Sequence, residues 1–331
     1  MKKWLVTGMA ILALLVTAAC GSDASTDGSS NDSYTVGATQ ILEHPSLDAA
    51  YDGFKAALED AELNVEYDYQ SAQNDQNNVA TISSNFVNDG VDLIFANSTP
   101  SALGALSATA KAGGDIPIIF TSVTDAVESD LVTAMDEPGE NITGVVDQHP
   151  EAIQKTVGFI DQYFSGAKVG LVYNAGEQNS VSQINAIKEA ADGNSLSFEE
   201  RTVGNSSEVQ QAATSLAGEV DVFYIITDNT VVSALDSVVG VANEQKIPLI
   251  VAEPDSLAKG GFATFGIDYY TIGYRSGEMA AEILKGDKTT KDIPVEYPSG
   301  MELFINKEAA EAQGIEWNDD WDDAEMVETE E

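Results

Sequence analysis

Two stretches of the chain repeat the same order of apolar and polar positions. Residues 91–123 and 220–254 each open with an apolar run, DLIFA and DVFYII, that is typical of a strand buried on both faces. A short polar elbow follows each run, and an Ala/Leu/Val-rich segment then leads to a second apolar run that begins Ile-Pro. This order predicts a strand–elbow–helix–strand unit that occurs twice.

Strand and helix patterns also alternate around these two units. Apolar runs at residues 34–42, 168–174 and 261–268 are typical of strands, and each is followed by residues with helical spacing. The pattern therefore predicts an α/β fold class with two doubly wound parallel-sheet lobes. The predicted hinge has three segments, which cross between the lobes near Val146, Asp268 and Ile293.

The first twenty residues have the pattern of a secretory signal. Lys2 and Lys3 precede an apolar run that is shorter than the ~20 residues a membrane-spanning helix needs. Small residues then lead to Cys20, the only cysteine of the chain. This segment resembles a bacterial lipobox, although Thr17 stands where Leu is usual. The resemblance implies lipidation of Cys20, which would anchor the protein to the outer face of the cell membrane.

These observations predict the division of the chain. The predicted parts are a signal peptide (1–19), a lipidated Cys with a flexible tether (20–33), an N-terminal lobe (34–146 plus 268–290), a C-terminal lobe (147–267 plus 291–316) and an acidic tail (317–331). The tether is rich in Gly, Ser and Asp and has nothing to bury. The tail has few apolar groups, so we expect it to be frayed.

Acidic side chains strongly outnumber basic ones. The 331 residues include 55 Asp and Glu against 15 Lys and Arg, which gives a formal charge of −40. Such a chain repels phosphates, so nucleic acid is excluded as a partner. A solvated acidic surface is typical of a halophilic source, where salt screens the charges. A docking surface for a cationic partner is the alternative.

Residue types that carry most catalytic chemistry are scarce. One cysteine and two histidines cannot supply an imidazole or thiolate metal cluster, although a calcium site made only of carboxylates stays open. The sequence has neither a G-x-S-x-G elbow nor a Gly-rich phosphate loop. His44 beside Glu43 is interpreted as an orienting or capping residue. We therefore predict no enzyme, no metal and no cofactor.

Polar residues that follow the predicted strands are the candidate ligand contacts. Ligands of open α/β sheets bind at the carboxyl ends of the strands, where helix N-termini also offer free N–H groups. Ordinary helix capping by Ser, Thr, Asp and Asn is the alternative at each elbow. The candidates are Glu43, Ser98, Thr99, Ser122, Val123, Thr124 and Asp125 in the first lobe, Asn174, Glu177, Asn179, Ser180, Asp228, Asn229, Glu253 and Asp255 in the second, and Asp268 at a crossover.

The two repeated elbows differ in polarity. Ser98, Thr99 and Ser122 offer hydroxyl and N–H donors that suit a carboxylate. Asp228 of the other elbow offers a carboxylate that suits an ammonium group. A cleft that closes over both groups would clamp a zwitterion, which indicates an α-amino acid.

Several phrases of the sequence resemble one family. GATQILEHPSLDAAYDGFKAAL, DLIFANSTPSA, IPIIFTSVTDAV, YIITDNTVVSAL and GIDYYTIGYRSGEMAAEILKG closely resemble the ABC-transporter substrate-binding lipoproteins of the tryptophan/tyrosine-binding type. The resemblance runs from about Tyr34 to Ile315, and the phrases occur in the same order. The family's E-H-P phrase matches Glu43–Pro45, its A-T-P elbow matches Ser98–Pro100, and its D-N-T elbow matches Asp228–Thr230. Asn97-Ser98 and Ala126 depart from the usual wording.

The resemblance implies both the fold and the role. It implies a monomer with a type I periplasmic-binding-protein fold that captures an aromatic amino acid (tryptophan, tyrosine or phenylalanine) in an interlobe cleft. The loaded form would then pass its ligand to an ABC permease with its ATPase, so the protein would work as part of an importer. The same fold with a branched-chain amino acid or a nucleoside is one alternative, and a ligand-sensing module for a membrane receptor is another.

Overall fold

Strands and helices alternate along the chain in the computed structural model, which describes residues 33–330. The predicted signal peptide, Cys20 and all but the last residue of the tether lie outside this range. The strands are β1 Ser33–Gln40, β2 Asn64–Ser71, β3 Leu93–Asn97, β4 Ile118–Val123, β5 Ile142–Val146, β6 Lys168–Tyr173, β7 Ser197–Thr202, β8 Val222–Ile225, β9 Leu249–Val251, β10 Ala263–Gly266, β11 Glu302–Ile305 and β12 Glu325–Met326. The helices are α1 Pro45–Asp60, α2 Gln76–Asp89, α3 Thr99–Ala112, α4 Ala152–Tyr163, α5 Gln178–Ala190, α6 Val209–Leu216, α7 Asn229–Val232, α8 Leu235–Gln245, α9 Pro254–Ala258, α10 Tyr269–Leu284 and α11 Lys307–Ala312.

The strands form two sheets, one in each lobe. The first sheet has the order β2-β1-β3-β4-β5 and is parallel throughout. The second has the order β12-β11-β10-β9-β8-β6-β7, in which β11 runs antiparallel to β10. Helices cover both faces of each sheet, so β3 and β4 are buried along their whole length. The prediction of an α/β fold with two parallel-sheet lobes is confirmed.

Helix α10 returns the chain to the first lobe and packs along α1. Its contact depends on glycine, because a Cβ atom at Gly273 would lie 1.9 Å from the carbonyl oxygen of Ala50. A Cβ atom on Gly53 of α1 would likewise lie 2.2 Å from the carbonyl oxygen of Tyr270. The small residues that the sequence places in this helix therefore let two helix backbones meet closely.

The last crossover lies beyond the predicted position near Ile293. The N–H of Glu296 donates to the carbonyl of Gly144 at 3.0 Å, and the N–H of Val146 donates back to Glu296 at 3.0 Å. Residues up to Glu296 therefore extend the first sheet next to β5, and the chain reaches the second sheet only at β11. Within residues 293–298, Glu296 forms an isolated bridge to Val145 and no strand of greater length forms there.

The acidic C-terminal segment packs against the second lobe, so the prediction of a frayed tail is wrong. Trp321 is 2% exposed and lies among the rings of Phe159, Tyr163 and Phe262. Strand β12 pairs with β11 at the edge of the second sheet. One large aromatic residue thus outweighs the surrounding charges, because its burial removes much apolar surface from water.

We expect Trp321→Ala to lower the free energy of unfolding by about 3–5 kcal/mol, as for other fully buried large side chains. Chemical denaturation in high salt measures the change. Trp317→Ala is the matched control, since Trp317 is only half-buried and should cost clearly less. Equal and small losses for both variants would show that the segment does not stabilise the fold.

No helix among residues 33–330 has both the length and the apolar character needed to cross a membrane.

Candidate ligand-binding cleft

A cavity lies between the carboxyl ends of the two sheets. Its lining residues lie at or just after the ends of strands, or in the first turn of the helix that follows, as expected for open α/β sheets. We refer to this space as the first cavity. Its lining residues are Leu42, His44, Ser46, Leu47, Ser98, Thr99, Ser122, Thr124, Asp147, Asn179, Thr227, Asp228, Asn229, Val232, Glu253 and Tyr269.

The backbone is strained at two of the first-lobe serines that line the cavity. Ser98 has φ 148° and Ser122 has φ 54°, values that L-residues with side chains rarely adopt. The Ser122 hydroxyl donates to Oδ1 of Asn97 at 2.6 Å, and Ser98 accepts from the N–H of Ser101 as the cap of α3. The Thr99 Oγ1 accepts from the N–H of Thr124 at 3.3 Å. Strain of this kind concentrates at functional sites, where the surrounding structure maintains it.

Asp228 is the buried carboxylate of the second lobe. Its side chain is fully buried and accepts from the N–H of Asn174 at 2.6 Å, from the hydroxyl of Ser180 at 2.7 Å and from the N–H of Val231 at 2.8 Å. Burial, followed by the nearby charge of Glu177, raises the pKa of Asp228 to about 6. Asp228 both caps α7 and lines the first cavity, so helix capping and a place in the candidate ligand site are compatible at this elbow.

Glu177 stabilises the same elbow from behind. Its carboxylate accepts from the N–H and side-chain amide of Asn229 and from the N–H and hydroxyl of Thr230, all at 2.6–3.1 Å. The side chain is buried, yet it does not line the first cavity. Its place in the structure is therefore that of a support for the elbow.

We expect Glu177→Ala to cost roughly 2–4 kcal/mol of folding stability, because several buried donors lose their acceptor. Glu177→Gln keeps one acceptor oxygen and should cost less. Thermal and chemical denaturation measure both changes. Glu189→Ala, an exposed position on the same helix, is the control and should have little effect. If Glu177→Ala matches this control, the elbow does not depend on Glu177.

Asn179 offers a free acceptor. Its side-chain amide N–H donates to the carbonyl of Thr227 at 3.1 Å. Its Oδ1 is buried and has no hydrogen-bond partner among the described residues. A buried acceptor without a partner is costly, so this atom favours a ligand that brings a donor.

Asp147 is a cavity residue that was not among the predicted site residues. It follows β5, just as the predicted residues follow their own strands, and its Oδ2 accepts from the hydroxyl of Tyr269 at 3.0 Å. Burial raises the pKa of Asp147 to about 6, and the Tyr269 hydrogen bond partly offsets this effect. Its position after a strand was the signal that could have revealed it.

His44 caps α1, as the sequence indicated, and also lines the first cavity. Its Nδ1 accepts from the N–H of Ser46 at 3.3 Å, so the proton of the neutral ring is on Nε2. Burial lowers the pKa of His44 to about 4, which keeps the ring neutral. Nε2 is buried without a hydrogen-bond partner among the described residues and lies 3.9 Å from Oε1 of Glu253.

The remaining predicted residues do not line the first cavity. Glu43 is exposed, Val123 is buried in the first-lobe core, and the exposed Asp268 caps α10. Asp125 accepts from the N–H groups of Val127 and Glu128 within its own loop. Asn174 and Ser180 support Asp228, as described above. Their positions at strand ends are as expected, but the direction of each side chain depends on its neighbours.

A second cavity adjoins the first and shares Asp147, Thr227 and Tyr269 with it. Aromatic and aliphatic side chains of the second lobe form much of its wall, and Gln148, Thr156 and Gln183 add polar groups. Sequence patterns do not predict this cavity, because Tyr224 and Phe265 lie on strands whose patterns are those of core positions and Tyr269 begins α10. The apolar wall consists of Ala152, Ile153, Tyr224, Ala252, Phe265, Ile267 and Tyr269.

Residues 35–323 match the sequence profile of the family described as ABC transporter substrate binding protein. The chain belongs to this family. Members of the family bind solutes outside the cytoplasm and are not enzymes, so this substrate-binding protein does no chemistry on its ligand. The prediction of family and type I periplasmic-binding-protein fold is confirmed.

Relatives with known structures or names are similar over most of this substrate-binding protein. A tyrosine-binding protein of Clostridioides difficile is 43% identical over 300 residues, which cover 88% of this chain and 85% of the relative. The structure of an ABC domain in complex with L-Trp from Streptococcus pneumonia is 30% identical with a TM-score of 0.83, covering 89% of this chain and 100% of that one. The ligand-free, open structure of a substrate-binding protein with adhesive properties from Clostridium difficile is 38% identical with a TM-score of 0.67, covering 90% and 100%.

Proposed function

We propose that this substrate-binding protein captures an aromatic amino acid between its lobes and delivers it to an ABC importer. The observation that carries the proposal is the pair of adjoining cavities, one polar and one with an aromatic wall. An amino acid has the same division, because a zwitterionic head is joined to a side chain of different character. The similarity to a tyrosine-binding protein and to an L-Trp complex supports this class of ligand.

The ammonium group of the ligand binds at the acidic side of the first cavity. Asp147 and Asp228 supply negative charge there, and Oδ1 of Asn179 supplies an acceptor without a partner. No Lys or Arg of the described residues lines this cavity. A buried site with carboxylates and no cation of its own favours a ligand that brings a positive charge.

The carboxylate of the ligand binds to neutral donors of the first lobe. The hydroxyl of Thr99 at the start of α3 and Nε2–H of His44 are the donors that line the cavity and have no acceptor among the described residues. The Ser98 and Ser122 hydroxyls already donate within the first lobe and hold this wall in place. The start of a helix adds the favourable end of its dipole. Neutral donors suffice because the ligand's own ammonium group balances the charge.

The side chain of the ligand occupies the second cavity. Tyr224, Phe265 and Tyr269 offer ring surfaces, and Ile153 and Ile267 add aliphatic contacts. Ring and aliphatic surfaces of this kind are the usual lining of a site for a phenol or an indole group. Aromatic pairs add to the gain from apolar burial. A nucleoside or a branched-chain amino acid is the second candidate, since its ribose or aliphatic group also suits a wall that mixes apolar and amide groups.

Hinge closure traps the ligand, and the lobe arrangement supports this step. Similarity is higher to the L-Trp complex, with a TM-score of 0.83, than to the open ligand-free structure, with 0.67, although the open relative has the higher identity. Because the lobes are joined by three crossovers, the simplest cause of the difference is their relative rotation. The closed form, anchored through a lipid on Cys20 as a monomer at the outer membrane face, would present the ligand to the permease and its ATPase.

A thermal-shift screen tests the function directly. The chain from Ser33 onward, freed of carried-over ligand by unfolding and refolding, is screened in high salt against the twenty amino acids, nucleosides and small sugars. A ligand at ~100 times its Kd adds about 2.7 kcal/mol of stability, which raises the melting temperature visibly. We expect L-tyrosine, L-tryptophan or L-phenylalanine to raise it. A shift with a nucleoside or leucine alone would replace the ligand class, and no shift with any compound would contradict amino-acid capture.

A further inference from the structure

A contact between the two lobes lies beside the ligand cavity. Ser46 in the first turn of α1 belongs to the first lobe, whereas Glu253 and Asp255 cap and begin α9 of the second lobe. The Ser46 hydroxyl lies 2.8 Å from Oε2 of Glu253 and also within hydrogen-bond distance of Oδ2 of Asp255. More than 200 residues separate Ser46 from either carboxyl, so the packing of one lobe against the other brings them together.

If both carboxyls were ionised, the Ser46 hydroxyl would have one proton too few to form hydrogen bonds with both of them. A serine hydroxyl has a single proton and can donate it to one carboxylate only. The second carboxyl can bond to the same oxygen only as an acid, by donating its own proton to a lone pair of Ser46. Glu253 already accepts from the N–H groups of Asp255 and Ser256, which favours its ionised form. The extra proton therefore belongs on Asp255.

The surroundings also favour an extra proton. Burial raises the pKa of both Glu253 and Asp255, and the hydrogen bonds from Ser46 and the backbone offset only part of this effect. The titratable groups that face the pair are the neutral ring of His44, the phenol of Tyr269, the carboxyl of Asp147 and the ammonium of Lys259. Lys259 acts in the opposite direction on Asp255, but burial is the larger cause.

A metal ion is the other cation that three such ligands could hold. His44, Glu253 and Asp255 offer ligand atoms that lie within 4.8 Å of one another. However, Nδ1 of His44 accepts the N–H of Ser46, which leaves the ring proton on the Nε2 atom that faces the two carboxyls. Metal binding at Nε2 would need this proton removed and the cap of α1 broken. The geometry therefore favours a proton over a metal.

We infer that Ser46, Glu253 and Asp255 form an interlobe proton site, which binds one proton when the lobes close and releases it when they open. On closing, one carboxylate takes up one proton from water and no other bond changes. On opening, Asp255 returns to solvent and releases it. This inference rests on the proposed function only in assuming that a ligand drives closure. Its consequence is that capture is linked to proton uptake and release to proton loss.

The sign of the pH effect follows from the direction of the shift. A carboxyl whose pKa is higher in the closed form holds its proton there while the open form has lost it. The closed form therefore gains stability as the pH falls through the raised pKa of Asp255 towards the ordinary carboxyl range near 4. With one linked proton, the closing equilibrium changes by up to about tenfold per pH unit. Above this window the contribution of the site is lost.

Asp255→Asn is the decisive variant, because its amide N–H donates to Ser46 without needing a proton. Titration calorimetry with the aromatic amino acid found in the screen, in buffers of different ionisation enthalpy between pH 5 and 8 at constant high salt, counts the protons taken up. We expect the wild type to take up as much as about one proton per ligand more than Asp255→Asn does. The variant should also bind more tightly than the wild type at pH 8. Asp236→Asn, an exposed carboxylate on α8, is the matched control and should behave as the wild type.

Solution scattering without ligand separates this inference from the proposed function. The radius of gyration of the ligand-free protein should decrease as pH falls from 8 to 5, and Asp255→Asn and Asp255→Ala should both remove this dependence. Only Asp255→Asn should keep the compact form at high pH. Equal proton uptake and equal scattering curves for wild type and Asp255→Asn would overturn the inference, whichever ligand binds. Closure that requires added Zn²⁺ or Ca²⁺ would also overturn it, in favour of a metal.

Discussion

Asp228→Asn is expected to weaken the binding of L-tyrosine or L-tryptophan by about 30-fold or more. Removing one charge from a buried, hydrogen-bonded ion pair typically costs 2–5 kcal/mol. The ammonium group of the ligand would then lose one of its two proposed carboxylate partners and keep Asp147. Titration calorimetry measures the loss. Asp236→Asn changes the same chemical group at an exposed position and serves as the control.

The fold itself must survive the Asp228→Asn change for the comparison to be informative. Asp228 accepts three hydrogen bonds, and asparagine keeps only one oxygen for them. Circular dichroism and the melting temperature of the ligand-free variant therefore accompany the titration. A folded variant that binds with wild-type affinity would remove Asp228 from the ligand site and leave it as a cap of α7.

The same carboxylates give the site an acid limit. The pKa values of Asp147 and Asp228 are raised to about 6 by burial, and an ammonium ligand favours their ionised forms. Affinity should therefore be full above pH 6 and decline as the pH falls through that value. This effect has the opposite sign to the interlobe proton site, so it is cleanest in the Asp255→Asn background.

Ala152→Trp is expected to lower the affinity for aromatic amino acids by about 100-fold or more. Ala152 lies in the first turn of α4 and in the wall of the second cavity, where an indole ring would occupy the space proposed for the ligand side chain. Overpacking of an occupied site typically costs about 1–3 kcal/mol of binding free energy, and occasionally more. The ligand ring also loses the free energy gained from its own burial.

Ala152→Ser is the matched control for this variant, since it changes polarity but hardly any volume. The free protein should fold in both cases, because the added ring enters a cavity and not the packed core. Binding of glycine or alanine, if the screen detects it, should be much less affected by Ala152→Trp. Unchanged affinity for L-tyrosine and L-tryptophan would show that the ligand side chain lies elsewhere.

The sequence by itself determined the architecture. Buried strands and amphipathic helices have different periods, so alternating patterns are enough to predict an α/β fold. The helical spacing predicted after residues 261–268, for example, corresponds to α10. The sequence also shows which polar residues follow the ends of the strands. Because all strand ends of a parallel sheet face one edge, Ser98, Thr99 and Asp228 could be assigned to one cleft from their places after strands. Helix α4 has apolar residues at helical spacing as well, but no element was predicted there.

Tertiary structure alone decided which of these residues face the cavity and what lies beside them. Periodicity records local geometry, so it cannot tell a supporting carboxylate such as Glu177 from a cavity residue such as Asn179, two positions along the chain. Phe265 lies in a strand pattern typical of the core, yet it lines a cavity. Trp321 lies in an acidic segment that was predicted to be frayed, yet it packs in the core of the second lobe. The contact of Ser46 with Glu253 depends on how two lobes close, and residues so far apart in sequence meet only through the packing of the whole fold.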